Sequence, residues 1–279
     1  MSTISAAQVK ELRDATNVSM MECKRALVEA GGDKDKAMRL LRESGLAIAG
    51  KRAEKTANQG LIAAEVLDGG KKGVMVEVNC ETDFVARNED FQKFVAGLLT
   101  EARDYADGEL ADAVKDQLAD QIAAIGENIV VRRNARFVCE GAGHVASYIH
   151  LGGKIGILVE VGCTRDETTA RDEFQELVKD ITLHIAASNP GYLQRDEVPA
   201  DLIEAEKSIF AKQAEGKPAN IVDKIVEGKI DKYYGQICLL EQAFVKDADL
   251  TITQLLDSKG KALDDTLTIR RFLRYQIGA

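Results

Sequence analysis

A segment of the chain occurs twice, and this internal repeat limits the fold more than any other feature of the sequence. Residues 60–99 match residues 143–182 at a constant offset of 83 positions, without a gap. Each copy has the pattern of a strand, a glycine-rich turn, a second strand and a helix. Two such copies predict an α+β fold of two subdomains, each with an antiparallel sheet covered by helices on one face. The match is carried by the pairs Gly60/Gly143, Gly69/Gly152, Gly70/Gly153, Gly73/Gly156, Glu77/Glu160, Cys80/Cys163, Asp83/Asp166 and Phe91/Phe174.

Helical periodicity lies before, between and after the two copies. Residues 110–125 predict a helix, and residues 129–138 predict a strand that leads into the second copy. The sheet is expected to resume at residues 237–245 and to end with an edge strand over residues 266–278. The predicted divisions are a three-helix N-terminal domain (1–45), a basic helical linker (46–58), a first core subdomain (59–140), a second core subdomain (141–195 and 233–279) and an inserted helical hairpin (196–232).

Composition and charge narrow the classes of function. The chain of 279 residues has a formal net charge of −9 and a pI of about 5.1, which argues against direct nucleic-acid binding, because that needs a basic surface. An acidic chain is compatible with a protein partner that has a basic patch. No membrane-spanning helix is expected, since no run of about 18 apolar residues occurs. The N-terminus has no pattern of a secretion signal. Five cysteines without a pairing pattern are typical of reduced thiols, so we expect a cytoplasmic protein.

Motifs of catalysis and of cofactor binding are absent from the sequence. It contains no phosphate-binding glycine loop, no dinucleotide-binding loop and no hydrolase nucleophile elbow. The histidines, His144, His150 and His184, have no metal-ligand spacing to each other or to a cysteine. A nucleophilic pair of Cys80 with His184 would need a tertiary proximity that the sequence does not indicate. We therefore expect a protein that is not an enzyme and that holds neither a metal nor a cofactor.

One aromatic residue lies where a polar turn is expected. Phe84 belongs to the segment "NCETDFVARNEDF", between the second strand of the first copy and the next helix. At the matching position the second copy has Glu167, so the repeated unit does not require an aromatic side chain there. Phe84 is therefore either a core residue, as most phenylalanines are, or an exposed anchor of a protein interface. Asp83 is matched by Asp166 and is predicted to cap the following helix.

Three further features each allow two interpretations. At Met20 and Met21, one methionine can face the three-helix core while the other is exposed, or both are partly buried. The apolar stripes within residues 196–232 either pack on each other and on the sheet or form a dimer contact. His150, in the turn of the second hairpin, is either an ordinary surface residue or a polar tip beside Leu151 that contacts a partner.

In these segments the chain resembles the bacterial elongation factor Ts family along nearly its whole length. The stretch "VKELRDATNVSMMECKRALVEAGGD" is similar to the ubiquitin-associated-like three-helix domain of that family. The stretch "EVNCETDFVARNEDF" is similar to its most characteristic motif, and "IGENIVVRR" and "HIAASNP" match two others. The inserted hairpin is similar to the coiled-coil module of the family.

The resemblance implies a function without covalent chemistry. The family is a guanine-nucleotide exchange factor that binds elongation factor Tu with GDP and promotes GDP release in translation elongation. It implies that Asp83 and Phe84, supported by Thr82 and Val85, insert beside the magnesium and nucleotide site of the GTPase domain. It also implies contacts of the N-terminal domain with a helix of that GTPase domain, and of the second subdomain with another domain of the partner. The further contact residues that it implies are Lys10, Arg13, Met20, Met21, Ile125 and His150.

Two parts of the family pattern leave questions for this chain. The coiled-coil module takes part in self-association in some members, which implies a homodimer contact through the hairpin. Longer members carry a C-terminal helical module, whereas this sequence stops at "RRFLRYQIGA", so the resemblance gives no contact from such a module. The alternative from another functional class is a non-catalytic, ubiquitin-associated-like binding scaffold built on the N-terminal domain.

Overall fold

The computed structural model describes residues 4–16 and 18–279. The chain begins with three helices that are joined by short loops. Residues 1–3 and 17 of the predicted N-terminal domain lie outside the described residues. Ser19 caps the second helix by accepting from the backbone N–H of Glu22, and Asp33 caps the third in the same way. Leu12, Cys23, Leu27, Ala37 and Leu41 are among the residues that fill the core between the helices. The helices are α1 (Ala6–Thr16), α2 (Met20–Glu29) and α3 (Lys34–Arg52).

The first copy of the repeat forms a three-stranded antiparallel sheet. Its strand order is β1-β2-β3, so the hairpin of the copy is completed by the strand predicted at residues 129–138. The helix predicted at residues 110–125 is divided at Val114. The elements are β1 (Gln59–Leu67), β2 (Lys72–Cys80), α4 (Asp83–Ala86), α5 (Glu89–Glu101), α6 (Leu110–Ala113), α7 (Lys115–Ile125) and β3 (Ile129–Val138).

The second copy forms an equivalent sheet, with the order β4-β5-β8. Its third strand follows the two helices of the inserted hairpin, a small two-stranded sheet of β6 and β7, and one more helix. The elements are β4 (Gly143–His150), β5 (Ile155–Gly162), α8 (Asp172–Ser188), α9 (Ala200–Gln213), α10 (Ala219–Ile237), β6 (Ala243–Phe244), β7 (Asp247–Thr251), α11 (Ile252–Leu263) and β8 (Thr268–Gln276).

The sheet does not resume at residues 237–245, and that prediction was wrong. Helix α10 continues to Ile237, a 3₁₀ turn follows, and the large sheet gains its last strand only at β8. Cys238 and Leu239 are fully buried in the turn. An apolar run that is buried on all sides has no periodicity that separates a strand from a turn between helices. The edge strand predicted over residues 266–278 is present as β8.

The two sheets pack against each other through the same face of each copy. Ile62 and Met75 of the first sheet meet their repeat-related counterparts, Val145 and Leu158, in one apolar cluster. On the opposite faces, α5 to α7 cover the first sheet, and α8 and α11 cover the second. The core subdomains therefore form four layers, in the order helix, sheet, sheet, helix.

Close approach of the sheets explains one pair of repeated glycines. A Cβ on Gly73 would lie 2.5 Å from a methyl group of Val145, and a Cβ on Gly156 would overlap Ile62. The two glycines are repeat-related, and so are the residues that they face. Any side chain at either glycine would push the sheets apart, so the repeat retains glycine for packing.

Two glutamates are buried between the sheets, and each is paired with arginines. Glu77 accepts from Arg133 at 2.7 Å, and Glu160 accepts from Arg271 at 2.8 Å. Each of these arginines also stacks on an aromatic ring of the other sheet, at 3.9 Å for Arg133 on Tyr275 and at 4.2 Å for Arg271 on a phenylalanine of β3. The paired charges and the reciprocal stacking fix the position of one sheet on the other.

The N-terminal bundle is attached to the first subdomain through α3 and α7. A Cβ on Gly45 of α3 would lie 3.4 Å from the Cβ of Ala123 of α7, so the two helices pack closely. Arg42 and Asp116 form an ion pair across this contact. Among the described residues, every helix is too short or too polar to cross a membrane.

The inserted helices α9 and α10 pack on each other through a small apolar cluster. Ile203 and Ile230 are buried in this cluster, together with Cys238 at the end of α10. Ile209 and Ile221 remain exposed on the outer surface of the hairpin. Part of the apolar stripe is therefore internal to the hairpin, and part of it faces outward.

Candidate functional site

The segment after β2 is a single helical turn, α4, that presents Phe84 to the outside. Thr82 is its N-cap, and the hydroxyl oxygen of Thr82 accepts from the backbone N–H of Val85 at 3.3 Å. Ala86 is buried and Val85 is half-buried against the core of the first subdomain. With these two residues facing inward, the Phe84 side chain points away and is 82% exposed.

The second copy forms a similar turn without an aromatic side chain. Residues Asp166–Ala170 form a 3₁₀ turn in which Glu167 is exposed. Thr168, which corresponds to Val85, is buried there. The same position therefore faces outward in both copies, and the fold accepts a glutamate at it as well as a phenylalanine. The core alternative for Phe84 is therefore excluded, and its side chain is exposed.

A carboxylate from a distant loop holds the base of this turn. Glu127, which follows α7, accepts from the backbone N–H groups of Glu81 and Thr82 at 3.1 and 3.0 Å. It also accepts from the Thr82 hydroxyl at 2.6 Å. In return, the Glu81 carboxylate accepts from the backbone N–H of Asn128 at 2.7 Å. The turn and the α7–β3 loop are therefore joined by hydrogen bonds in both directions.

Asp83 is the first residue of the turn and is partly exposed. Its carboxylate pairs with Arg87 at 3.1 Å, one turn further on, and both side chains are in contact with solvent. Such an exposed pair contributes at most about 1 kcal/mol to stability. The Asp83 carboxylate is therefore accessible to a partner. The predicted capping role belongs instead to Thr82 for α4 and to Asn88 for α5.

The residues implied for the N-terminal domain lie on the surface of the bundle. Lys10 and Arg13 are exposed on α1. Met20 is 42% exposed and Met21 is 66% exposed, so neither methionine fills the core. The first buried residue of α2 is Cys23, one turn later, because the first turn of the helix extends beyond the core of the bundle. Both interpretations of the methionine pair predicted more burial than the structure shows for at least one of the two side chains.

Ile125 and His150 occupy different parts of the molecule. Ile125 ends α7, two residues before Glu127, and is half-buried against the core of the first subdomain. It therefore lies beside the loop that holds the Phe84 turn. His150 ends β4 and is exposed, and its Nδ1 lies 3.0 Å from the Tyr148 hydroxyl. Leu151, which follows it, is also exposed.

The two residues of the hypothetical nucleophilic pair lie in separate cores. Cys80 is buried in the first subdomain, and burial, followed by the nearby Glu127 charge, raises its pKa to about 12. His184 is buried on α8, where its Nε2 lies 3.0 Å from Gln242, and burial lowers its pKa. Neither group has the environment of an activated nucleophile or base. Over residues 4–16 and 18–279, no cluster of three or more histidine, cysteine or acidic side chains has the arrangement of a metal site.

Comparison with known proteins shows which family this chain is similar to. The family model described as "Elongation factor TS" matches residues 81–279. Elongation factor Ts of Trichlorobacter lovleyi is 43% identical over 290 residues, which cover 99% of this chain and 93% of that protein. Elongation factor Ts of Clostridioides difficile is 45% identical over 291 residues, which cover 100% of this chain and 94% of that protein. With the family model spanning most of the chain and relatives at this identity over nearly its full length, the chain belongs to the elongation factor Ts family.

Proposed function

We propose that this chain is a guanine-nucleotide exchange factor that binds elongation factor Tu with GDP and promotes GDP release in translation elongation. The observation that carries the proposal is the exposure of Phe84, at 82%, on a turn that is capped and hydrogen-bonded at its base. A large apolar side chain on a fixed turn is the usual form of an interface anchor. Membership of the elongation factor Ts family supports the choice of partner.

The proposed mechanism is insertion of the Asp83–Phe84 part of the turn beside the magnesium and nucleotide site of the partner. Nucleotide and magnesium hold the switch loops of a GTPase in one arrangement. A protein that fits only the rearranged, nucleotide-free GTPase weakens the binding of the nucleotide. By linkage, the nucleotide weakens the binding of that protein by the same factor. Phe84 supplies the apolar wedge, Asp83 supplies a carboxylate near the metal, and Thr82 and Val85 support the turn.

The remaining contacts are proposed on the surfaces where the structure places the implied residues. Lys10, Arg13, Met20 and Met21 of the N-terminal bundle would contact a helix of the GTPase domain. The two exposed methionines suit such a contact, because methionine adapts to irregular surfaces. Ile125 would contact the partner beside the turn, and the exposed His150 would touch another of its domains.

The charge and the inserted hairpin bear on further partners. A net charge of −9 favours a protein partner over direct contact with nucleic acid. We propose a cytoplasmic site of action, as expected for a translation factor, with no membrane partner. The exposed Ile209 and Ile221 of the hairpin form the proposed contact for a homodimer. The coiled-coil character of the hairpin and the ubiquitin-associated-like character of the bundle belong to the same proposal.

The test is stopped-flow release of fluorescent GDP from elongation factor Tu, with the wild-type chain, Phe84→Ala and Glu167→Ala. Glu167→Ala is the matched control, because it truncates the corresponding exposed residue of the second copy. We expect strong acceleration by the wild type and by the control. Phe84→Ala should be slower by about 30-fold, the effect of losing about 2 kcal/mol at a hot spot.

Two results would count against the proposal. Equal acceleration by Phe84→Ala would exclude the wedge while leaving an exchange factor of another design. A folded wild-type chain without any acceleration would exclude the exchange function and favour the binding scaffold. Deletion of residues 1–50 separates these two functions, because a scaffold would lose its binding whereas an exchange factor would retain some nucleotide release.

A further inference from the structure

The carboxylate of Glu127 supports the turn from outside the repeated unit. It receives three hydrogen bonds, from two backbone N–H groups and one hydroxyl of residues 81 and 82, at distances of 2.6 to 3.1 Å. These residues immediately precede Asp83 and Phe84. Thr82 is also the N-cap of the turn, so Glu127 contacts the residue at which the turn begins.

The loop that carries Glu127 is itself fixed. The backbone N–H of Asn128 donates to the Glu81 carboxylate at 2.7 Å, and the Asn128 side chain donates to the carbonyl of Lys55 at 2.7 Å. Arg52, at the end of α3, approaches the same Glu81 carboxylate at 3.3 Å. The base of the turn is therefore held by groups from the α7–β3 loop and from the end of the N-terminal bundle.

The second copy contains the same device. Asp265 lies 138 positions after Glu127, and it accepts from the backbone N–H groups of Thr164 and Arg165 at 2.9 and 3.3 Å. These two residues correspond to residues 81 and 82 of the first copy. Asp265 also accepts from the Thr168 hydroxyl at 2.5 Å. A carboxylate before the third strand thus secures the turn after the second strand in both copies, but only the first turn presents an aromatic residue.

We propose that Glu127 is a positioning residue for nucleotide exchange, acting through the Phe84 turn that its carboxylate holds in the orientation needed for insertion. The inference rests on the proposed exchange function. Without Glu127 the turn populates other orientations, and only the fraction in the competent orientation can insert. The proposed contacts of the N-terminal bundle and of His150 lie away from this turn, so the loss falls mainly on the maximal rate of GDP release and less on the concentration of chain that gives half of it.

The test uses the full chain with Glu127→Ala, Glu127→Gln and, as a matched control, Asp265→Ala. Each variant is compared by saturating stopped-flow GDP release at a temperature at which circular dichroism shows it to be folded. Glu127→Ala should lower the maximal rate of GDP release about tenfold. The concentration of chain that gives half of the maximal rate should change less than about twofold. Glu127→Gln should stay within about threefold of the wild type, because its amide oxygen still accepts from both backbone N–H groups. Asp265→Ala removes at least as many hydrogen bonds. With this variant, GDP release from elongation factor Tu should proceed at nearly the wild-type rate.

A double-mutant cycle separates positioning from a general loss of structure. If Glu127 acts through the turn that carries Phe84, Glu127→Ala should lower the rate much less in the Phe84→Ala background than in the wild type. Additive losses would overturn the inference, and so would a normal rate for Glu127→Ala or an equal loss for Asp265→Ala. If Glu127→Ala does not fold, Glu127→Asp takes its place, because the shorter side chain withdraws the carboxylate from the N–H groups of Glu81 and Thr82 and leaves the Thr82 cap in place.

Amide hydrogen exchange of the free chain tests the positioning without the partner. The backbone N–H groups of Glu81 and Thr82 should exchange faster in Glu127→Ala than in the wild type, while those of Thr164 and Arg165 should not change. Unchanged protection of residues 81 and 82 would overturn the inference whatever the release rates are. A wild-type chain that does not accelerate GDP release would instead overturn the proposed function, and the exchange of these amides would still report on the role of Glu127.

Discussion

Replacing Phe84 by alanine should hardly change the stability of the folded chain. The side chain is 82% exposed, so less than a fifth of its surface is removed from water on folding. Complete burial of a phenylalanine side chain contributes up to about 3 kcal/mol, and a fifth of that value is about 0.6 kcal/mol. Its position in a short turn adds no packing against the core, because Val85 and Ala86 occupy the inward positions. We expect the free energy of unfolding to fall by no more than about 0.6 kcal/mol.

The assay is equilibrium unfolding in urea, followed by circular dichroism, with Phe91→Ala as the comparison. Phe91 belongs to the same copy of the repeat but is fully buried against β2. Its truncation should lower the free energy of unfolding by about 3–5 kcal/mol, the usual effect of removing a buried phenylalanine. A loss of that size for Phe84→Ala would refute the exposed turn and would make Phe84 a core residue.

Three other parts of the structure give predictions of their own. Burial alone would raise the pKa of Asp265, but the hydroxyl and amide hydrogen bonds that it accepts hold the pKa well below its usual range. This stabilisation is present above the unfolded pKa of about 3.9 and is lost as the pH falls towards the folded pKa. Urea unfolding between pH 6 and 3 should therefore show a smaller loss of stability for Asp265→Asn than for the wild type, and equal losses would contradict this. Gly70→Ala should lower thermal stability more than Gly69→Ala, because both have positive φ but only a Cβ on Gly70 would overlap the His144 ring. Burial raises the pKa of both Cys139 and Cys80, but only Cys139 is partly exposed. In native protein at pH 7.5, iodoacetamide should therefore modify Cys139 and leave Cys80 unmodified, as mass spectrometry would show.

The internal repeat allowed most of the core fold to be predicted from sequence. Because the two hairpins share their glycines and their buried residues at one offset, two similar antiparallel sheets were the natural interpretation. The ungapped match ends at residue 182, however, and the third strands of the sheets lie outside it. Residues 129–137 and 267–275 match at a different offset, because the inserted helices lengthen the second copy. The arginine pairs that contact Glu77 and Glu160 recur in both segments, and they could have indicated that the two third strands correspond.

The way in which the sheets meet could not be predicted from the repeat. Each copy alone indicates a sheet with one apolar face, whereas both faces of these sheets are covered. The buried glutamates look like ordinary surface charges in the sequence, because their arginine partners come from strands more than 50 positions away. Only the packing of Gly73 and Gly156 shows why those glycines recur in both copies.

The sequence indicated the Phe84 turn as a candidate site but not the residues that hold it. Comparison of Phe84 with Glu167 showed that the fold does not need the aromatic ring, yet it could not show where the ring points. The exposure follows from Val85 and Ala86, which face the core. Glu127 was missed, since acidic residues are common near helix ends and its role depends on contact with residues about 45 positions earlier. Its correspondence with Asp265 could have indicated it, once the third strands were aligned.

We expect this chain to bind better to elongation factor Tu without nucleotide than with GDP, and we expect Phe84 to supply the difference. The direct measurement is the affinity of the partner for GDP with and without saturating chain, together with the affinity of the chain for the partner with and without GDP. Linkage requires the same factor in both directions, and we predict a factor of about 10 or more for the wild type that falls towards one for Phe84→Ala. Equal affinity of the wild-type chain for the GDP-bound and nucleotide-free partner would contradict the account.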